Sequence, residues 1–248
     1  MRRFFIFALC LIPFAASAVE SSDVKQAAKL TAAQIIEKNV AARGGLKAWR
    51  AVDTLTLSGQ MEAGGKQNTE LPFVMKMKRS HKSRLEIQFR DQTSVQVYDG
   101  KEGWKVRPFL GRDEVEPFTP VEAKAAEAWE ELDGLLIDYV RKGTKVVLQG
   151  TESVEGNTAY KLQLTMKNGD TRNVWIDAKT FLELKIDGQP RKMDGKMRNV
   201  TVYYRDYKTE NGLTTPRLLE TVIEGNLQIL IADFVQTVMK DLRQQGLL

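Results

Sequence analysis

The sequence predicts a mainly β protein, one antiparallel sheet that curls, with helices only at the start and in the middle. Three observations point there. From Asp53 onward, apolar and polar residues alternate with a period of two in about a dozen short runs, the pattern of half-buried strands with one wet and one covered face. Turn signals such as Asp99-Gly100, Asn168-Gly169, Asp187-Gly188 and Asn211-Gly212 fall between the runs. Ahead of the tail, helical patterns occur only before Asp53 and around Val121 to Leu132. No repeat, low-complexity tract or Pro/Ser linker divides the chain, so one domain is expected from Thr31 to Leu248.

The chain opens with Met1-Arg2-Arg3, an almost wholly apolar run from Phe4 to Ala15, and the small-x-small pattern Ala16-Ser17-Ala18. That is the layout of a secretory signal peptide. The run is shorter than the roughly 20 residues that span a bilayer, so residues 1–18 are expected to be cleaved after Ala18 and the protein exported to the periplasm. Cys10, the single cysteine, lies mid-run with no small residue before it, unlike a lipid-modified cysteine. It leaves with the leader, and the mature chain must then hold together by its core alone. Loss of Arg2 and Arg3 lowers the formal charge from +5 to +3. This mild balance lacks the clustered basic stripe of a nucleic-acid surface and offers only a weak pull toward an anionic membrane.

Val19 to Leu30 has no strong period and is expected to be a flexible leader. Thr31 then caps a helix, with Gln34 at capping-box spacing and Ile35, Ile36 and Val40 on one side. Gly44-Gly45 ends it, and a short second turn from Leu46 to Val52 carries Trp49. Strands follow through Leu55, Leu57, Gly59 and Met61, then Leu71, Phe73, Met75 and Met77, then Leu85, Ile87 and Phe89. Val95 and Val97 lead into a hairpin at Asp99-Gly100, and Trp104 and Val106 leave it. Pro117 to Pro120 break the pattern ahead of the alanine-rich helix, whose apolar side extends through Leu135, Leu136 and Tyr139. Strands resume at Lys145–Leu148, Tyr160–Met166, Asn173–Ile176, Phe181–Ile186, Val200–Tyr207 and Leu218–Glu224. The tail from Leu227 begins apolar and is expected to end as a short amphipathic helix.

The residues that carry common chemistry are scarce. His81, the single histidine, sits in the basic turn Lys78-Arg79-Ser80-His81-Lys82 and reads as solvated. One histidine and no mature cysteine leave no familiar zinc or copper ligand set, and no phosphate-binding or calcium-loop fingerprint occurs. Glu130, Glu131 and Asp133 read as a solvated helix face. No cofactor is implied, and an enzyme is the weaker class. A carboxylate-dependent hydrolase would need two acids facing one cleft.

The leading helix ending in Gly44-Gly45 with Trp49 beyond it, the strand ending in Gly59, and Val97-Tyr98-Asp99-Gly100 with Trp104 and Pro108 together resemble the periplasmic lipoprotein-carrier superfamily of LolA- and LolB-like proteins. Phe181-Leu182-Glu183-Leu184 and Tyr203-Tyr204-Arg205-Asp206-Tyr207 before Asn211-Gly212-Leu213 and Pro216 match the later half of that pattern. The resemblance covers about Thr31 to Gly225 and rests on order and spacing together. It implies an unclosed, strongly curved antiparallel half-barrel with a helical lid over an apolar cavity that takes acyl chains.

The function this implies is a non-enzymatic periplasmic carrier. It would hold lipid or lipoprotein acyl chains and move them from the inner toward the outer membrane. The implied partners are the acylated cargo, an inner-membrane lipid exporter and an outer-membrane acceptor. Alternation marks Leu57, Met75, Met77, Ile87, Phe89, Val97, Trp104, Leu162, Leu164 and Met166 as candidate lining. A one-residue slip would turn any strand's set to the other face. Methionine among them suits variable apolar guests. Trp104 either caps one end of the sheet's core or lines the mouth of the cleft. The competing reading is a sensor module of the same fold with a filled core, acting in envelope-stress signalling.

Overall fold

A computed structural model describes residues 30–62, 70–127, 132–193, 195–224 and 226–240. The expected signal peptide and flexible leader, 1–29, lie outside the described residues. Helix α1 (Ala32–Ala42) begins as the sequence predicts. The Thr31 hydroxyl accepts from the Gln34 amide at 3.3 Å, and the Gln34 side chain accepts from the Thr31 amide at 2.9 Å. Two amides that a helix start leaves orphaned are thus satisfied. Gly44 then turns at φ 108°, and a Cβ there would drive into the carbonyl oxygen of Gly212. Glycine is required twice over, by backbone angle and by close approach. Helix α2 (Leu46–Arg50) follows and buries Trp49, whose indole NH donates to the Arg43 carbonyl at 2.9 Å.

The first half of the chain is a meander: β1 (Val52–Glu62), β2 (Glu70–Lys78), β3 (Lys82–Phe89), β4 (Gln92–Tyr98), β5 (Gly103–Arg107) and β6 (Arg112–Pro117). Helix α3 (Pro120–Glu127) comes next. Residues 132–143 run through successive turns, with Gly134, Asp138 and Gly143 at positive φ. The long helix expected from Val121 past Leu132 is therefore shorter within the described residues, because left-handed positions break a helical run.

The second half supplies β7 (Lys145–Val154), β8 (Asn157–Thr165), β9 (Thr171–Asp177), β10 (Glu183–Asp187), β11 (Arg191–Met193), β12 (Lys196–Arg198), β13 (Val200–Arg205), β14 (Lys208–Glu210), β15 (Leu213–Thr215), β16 (Leu218–Ile223) and β17 (Asn226–Lys240). Two small hairpins, β11–β12 and β14–β15, stand apart. The other thirteen strands form one antiparallel sheet in the order β6-β5-β4-β3-β2-β1-β17-β16-β13-β10-β9-β8-β7. It ends in open edges at β6 and β7 and does not close into a barrel. Register shifts place extra residues in β1, β6, β7, β10 and β17, and such bulges bend strands and sharpen the twist.

The tail supplies a long strand. Residues 226–240, whose start the sequence marks as apolar, form the fifteen-residue strand β17 between β1 and β16, and the short helix expected at the very end of the tail would fall after it. The segment carries Ile229, Ile231, Phe234, Val235, Thr237 and Val238, the β-branched and aromatic types that suit a pleated surface. Its pairing joins the two meanders and removes two exposed edges. Residues 241–248 lie outside the described residues. No helix among the described residues is long and apolar enough to cross a membrane.

Candidate functional site: a cavity on the concave face

Cross-strand register assigns the faces. Leu57 pairs with Met75, Met75 with Leu85, Leu85 with Gln96, and Gln96 with Lys105, so these side chains share one face. In the other half Leu148, Leu162, Val174, Ile186 and Val202 form the matching row. The helices and residues 132–143 cover this face. Between cover and sheet lies a cavity of about 400 Å³, with Leu55, Leu57 and Met77 on one side and Val174, Ile186 and Val202 on the other. Leu132, Leu135 and Leu136 form its cover.

The cover is held up by charge. Asp133, with no exposed surface, binds Arg79 at 2.8 Å and Lys142 at 2.5 Å. Arg79 also donates to the carbonyls of Val52 (2.8 Å) and Trp49 (2.6 Å), which ties the cover to β1 and α2. The sequence reading had Asp133 on a solvated helix face. It is instead fully buried, because two cations and a turn take the place of water. Glu130 and Glu131 lie outside the described residues.

A second polar group sits in the cavity wall. Arg43 lies with its guanidinium 4.6 Å from the Trp49 ring centroid and pairs with Glu183 at 3.2 Å. The Tyr207 hydroxyl donates to the Glu183 carbonyl at 3.0 Å. Burial opposes the Arg43 charge and is the largest influence on it, but Glu183, Tyr207, Tyr204 and Asp133 together outweigh it, and its pKa lies above the ordinary value. Burial, reinforced by the Glu183 carboxylate, pushes the Tyr207 phenol well above its usual range. Arg43 therefore stays charged and Tyr207 neutral across all ordinary conditions. The group is a fixed ionic strut, unsuited to proton transfer near neutrality.

The candidate lining residues separate into five sets. Leu57 and Met77 line the cavity. Met75 and Ile87 continue the same concave face in an adjoining cluster with Phe73, and Phe89 lies on that face, edge-on to Phe109 at 5.9 Å. Leu162 and Leu164 share the concave face but are sealed, with no exposed surface, against Ile35 and Ile36 of α1. Met166 falls in the turn after β8, where its carbonyl accepts from the Gly169 amide.

Val97 and Trp104 form the fifth set, and for them the face is reversed. They pair with each other and with Arg84 on the outer side of the sheet. The concave position of β5 belongs to Lys105, only 4 % exposed, which pairs with Glu122 of α3. Alternation alone favours tryptophan inside. The helix-borne carboxylate reverses that choice, so Trp104 neither caps the concave core nor lines this cavity.

Sequence reasoning did not mark Arg43, Glu183 or Tyr207 as site residues, and it read Leu132 and Leu135 as part of a helix's apolar side rather than as a cover. Val202 and Tyr204 were within reach from the alternation of β13. The cover residues sit in turns, so the helical spacing that marked them as apolar did not report the element they form.

No family model matches the sequence, and no curated protein matches it. Solved structures do share its architecture. A LolA superfamily protein from Nitrosomonas europaea aligns over 86% of this chain and 96% of its own, with a TM-score of 0.55 and 14% identity. A putative outer membrane lipoprotein-sorting protein domain from Vibrio parahaemolyticus aligns over 86% and 95%, at 0.51 and 13%. A DUF1329 family protein from Desulfovibrio piger aligns over 84% and 92%, at 0.52 and 17%. The class this defines is an open, curved antiparallel sheet with a covered concave face. The fold is LolA-like.

Proposed function

We propose that this protein is an exported, non-enzymatic carrier that shelters an acyl chain of a lipid or lipoprotein between the inner and outer membranes. The observation that carries this reading is the cavity of about 400 Å³ with apolar side chains from sheet and cover alike. Its size falls toward the lower end of the roughly 300–1,000 Å³ range of ligand sites, which favours one chain over several. Burial contributes about 0.8 kcal/mol per methylene, or roughly 8 kcal/mol for ten, before ordering costs. No covalent step is needed. Leu57 and Met77 are the proposed contacts, with Met75 and Ile87 as the extension of the apolar path. Release follows when the cover, residues 132–143, settles onto the sheet and takes the chain's place. Delivery by such a carrier implies an inner-membrane donor and an outer-membrane acceptor.

The test is mass spectrometry of lipid extracted from protein purified without detergent, beside the variant Leu57→Trp. The larger ring fills existing space, so the variant is expected to unfold at an unchanged or higher temperature while losing the bound lipid. A wild-type protein that is empty and takes up no added lipid overturns the carrier reading in favour of a sensor module. The same purified sample tests export: its intact mass should match a chain starting at Val19.

A further inference from the structure

We propose that the outer face of β2 to β5 docks on an anionic membrane surface, through Lys76, Lys78, Lys82 and Arg84 with Trp104 as the apolar contact. The sequence shows only a mild positive balance, but strand register gathers it. Lys76 lies directly opposite Arg84, and Lys78 directly opposite Lys82. Like charges in facing positions destabilise a sheet, so two such pairs side by side work against the fold. Glu86 pairs with Arg84 at 2.6 Å and Asp53 with Lys78 at 3.5 Å. Asp99, on the adjoining hairpin, adds a weaker field at Lys82 while bonded to its own turn amides. Lys76 and Lys82 are exposed.

The same row continues into apolar residues. Arg84 faces Val97, and Val97 faces Trp104. The neighbouring row holds Val95 opposite Val106, and on the edge strand Val115 is 68 % exposed. Cations next to a tryptophan and valines fit a bilayer interface. Lysine and arginine there meet anionic head groups, and the indole settles at head-group depth. An acidic protein would match the charges and could cover the apolar row, and it is separated from a bilayer by the experiment. This surface is on the side of the sheet away from the cavity, so docking does not depend on a lipid being held inside.

The experiment is co-sedimentation of the protein, in the form its cells accumulate, with two kinds of vesicle. One is phosphatidylcholine alone and the other an equal mixture with phosphatidylglycerol. Binding is expected to the mixture and not to phosphatidylcholine, and to weaken as salt rises. Lys76→Gln combined with Lys82→Gln should weaken it about 25-fold, near fivefold for each cation. The double variant should unfold no more easily than the wild type, since each change relieves a like-charge pair. Trp104→Ser should also weaken vesicle binding. Equal binding to both vesicles, or no effect of the lysine changes, overturns the proposal. So does binding that ignores Trp104→Ser and is fully displaced by an acidic protein, which would make the face a protein-docking surface.

Discussion

The two halves of the concave face present the same chemistry and meet different fates. Under α1, Leu162, Leu164 and Ile176 pack against Ile35 and Ile36 with almost no exposed surface. Beside them Leu57 and Met77, equally apolar, border open space. The difference lies in the cover. Helix α1 is held by its capping box and lays an unbroken isoleucine face on the sheet. Residues 132–143 follow a turning path and are braced by Asp133 against Arg79 and Lys142, so Leu136 and Ile137 pack into the core while a cavity remains beside them. A cavity here needs no special sheet composition, only a cover propped by charge.

If that is right, removing the prop has the largest effect. Asp133→Ala takes a buried carboxylate from between two cations, and such a loss costs about 3–5 kcal/mol. Urea unfolding should show the midpoint falling accordingly. An effect below about 1 kcal/mol would mean that the cover stands without the ion pairs. The next contrast is between the halves themselves. Leu164→Ala removes a fully buried side chain and should cost about 2–5 kcal/mol. Leu57→Ala enlarges a space that already exists, and its cost should be less than half as large. For the same reason a charge at Leu164 would unfold the protein whether or not the cavity binds lipid. Equal costs at the two sites would mean that the halves are packed alike.

A smaller effect tests how α1 is fastened. Thr31→Ala removes the hydroxyl that accepts the Gln34 amide, and losing an N-cap costs about 1 kcal/mol. The loss should appear in the thermal midpoint with the cavity's ligand content unchanged, since α1 roofs the filled half.

How much of this was legible in the sequence follows from the kind of signal each element carries. Alternation in Leu55, Leu57, Met75 and Met77 marks the concave face because strand periodicity is local. The Thr31–Gln34 spacing marks α1 for the same reason. Lys105 defeats the pattern: its burial depends on Glu122, which lies seventeen residues on in a different element. The cavity is harder still to read. It depends on the height of residues 132–143 above the sheet, and so on Asp133 meeting Arg79 across 54 positions. Periodicity cannot report such a distance. β17 shows the opposite limit: its composition favours a strand, but its partner β1 lies at the far end of the chain.

Lys105 and Glu122 give the comparison its finest test, because α3 is a third cover of a different kind. It meets the concave face through an ion pair, with the ring of Phe118 over Gly103, where a Cβ would clash. Burial pushes the Glu122 carboxyl up, but the Lys105 ammonium and the Thr119 amide and hydroxyl outweigh it and hold it at about 2, below the ordinary 4.5. A depressed carboxyl stabilises the docked state fully above the unfolded value and loses that contribution as pH falls through the folded one. Docking of α3 should therefore be constant above pH 4.5 and weaken between 4.5 and about 2. Hydrogen exchange of the Ala123 amide, which donates to the Thr119 carbonyl at 2.9 Å, reads this directly after correction for intrinsic rates. In Glu122→Gln the acid-dependent step should vanish and protection be low at every pH. If instead the step persists in the variant, another carboxylate controls α3, and the charge on Lys105 is balanced elsewhere.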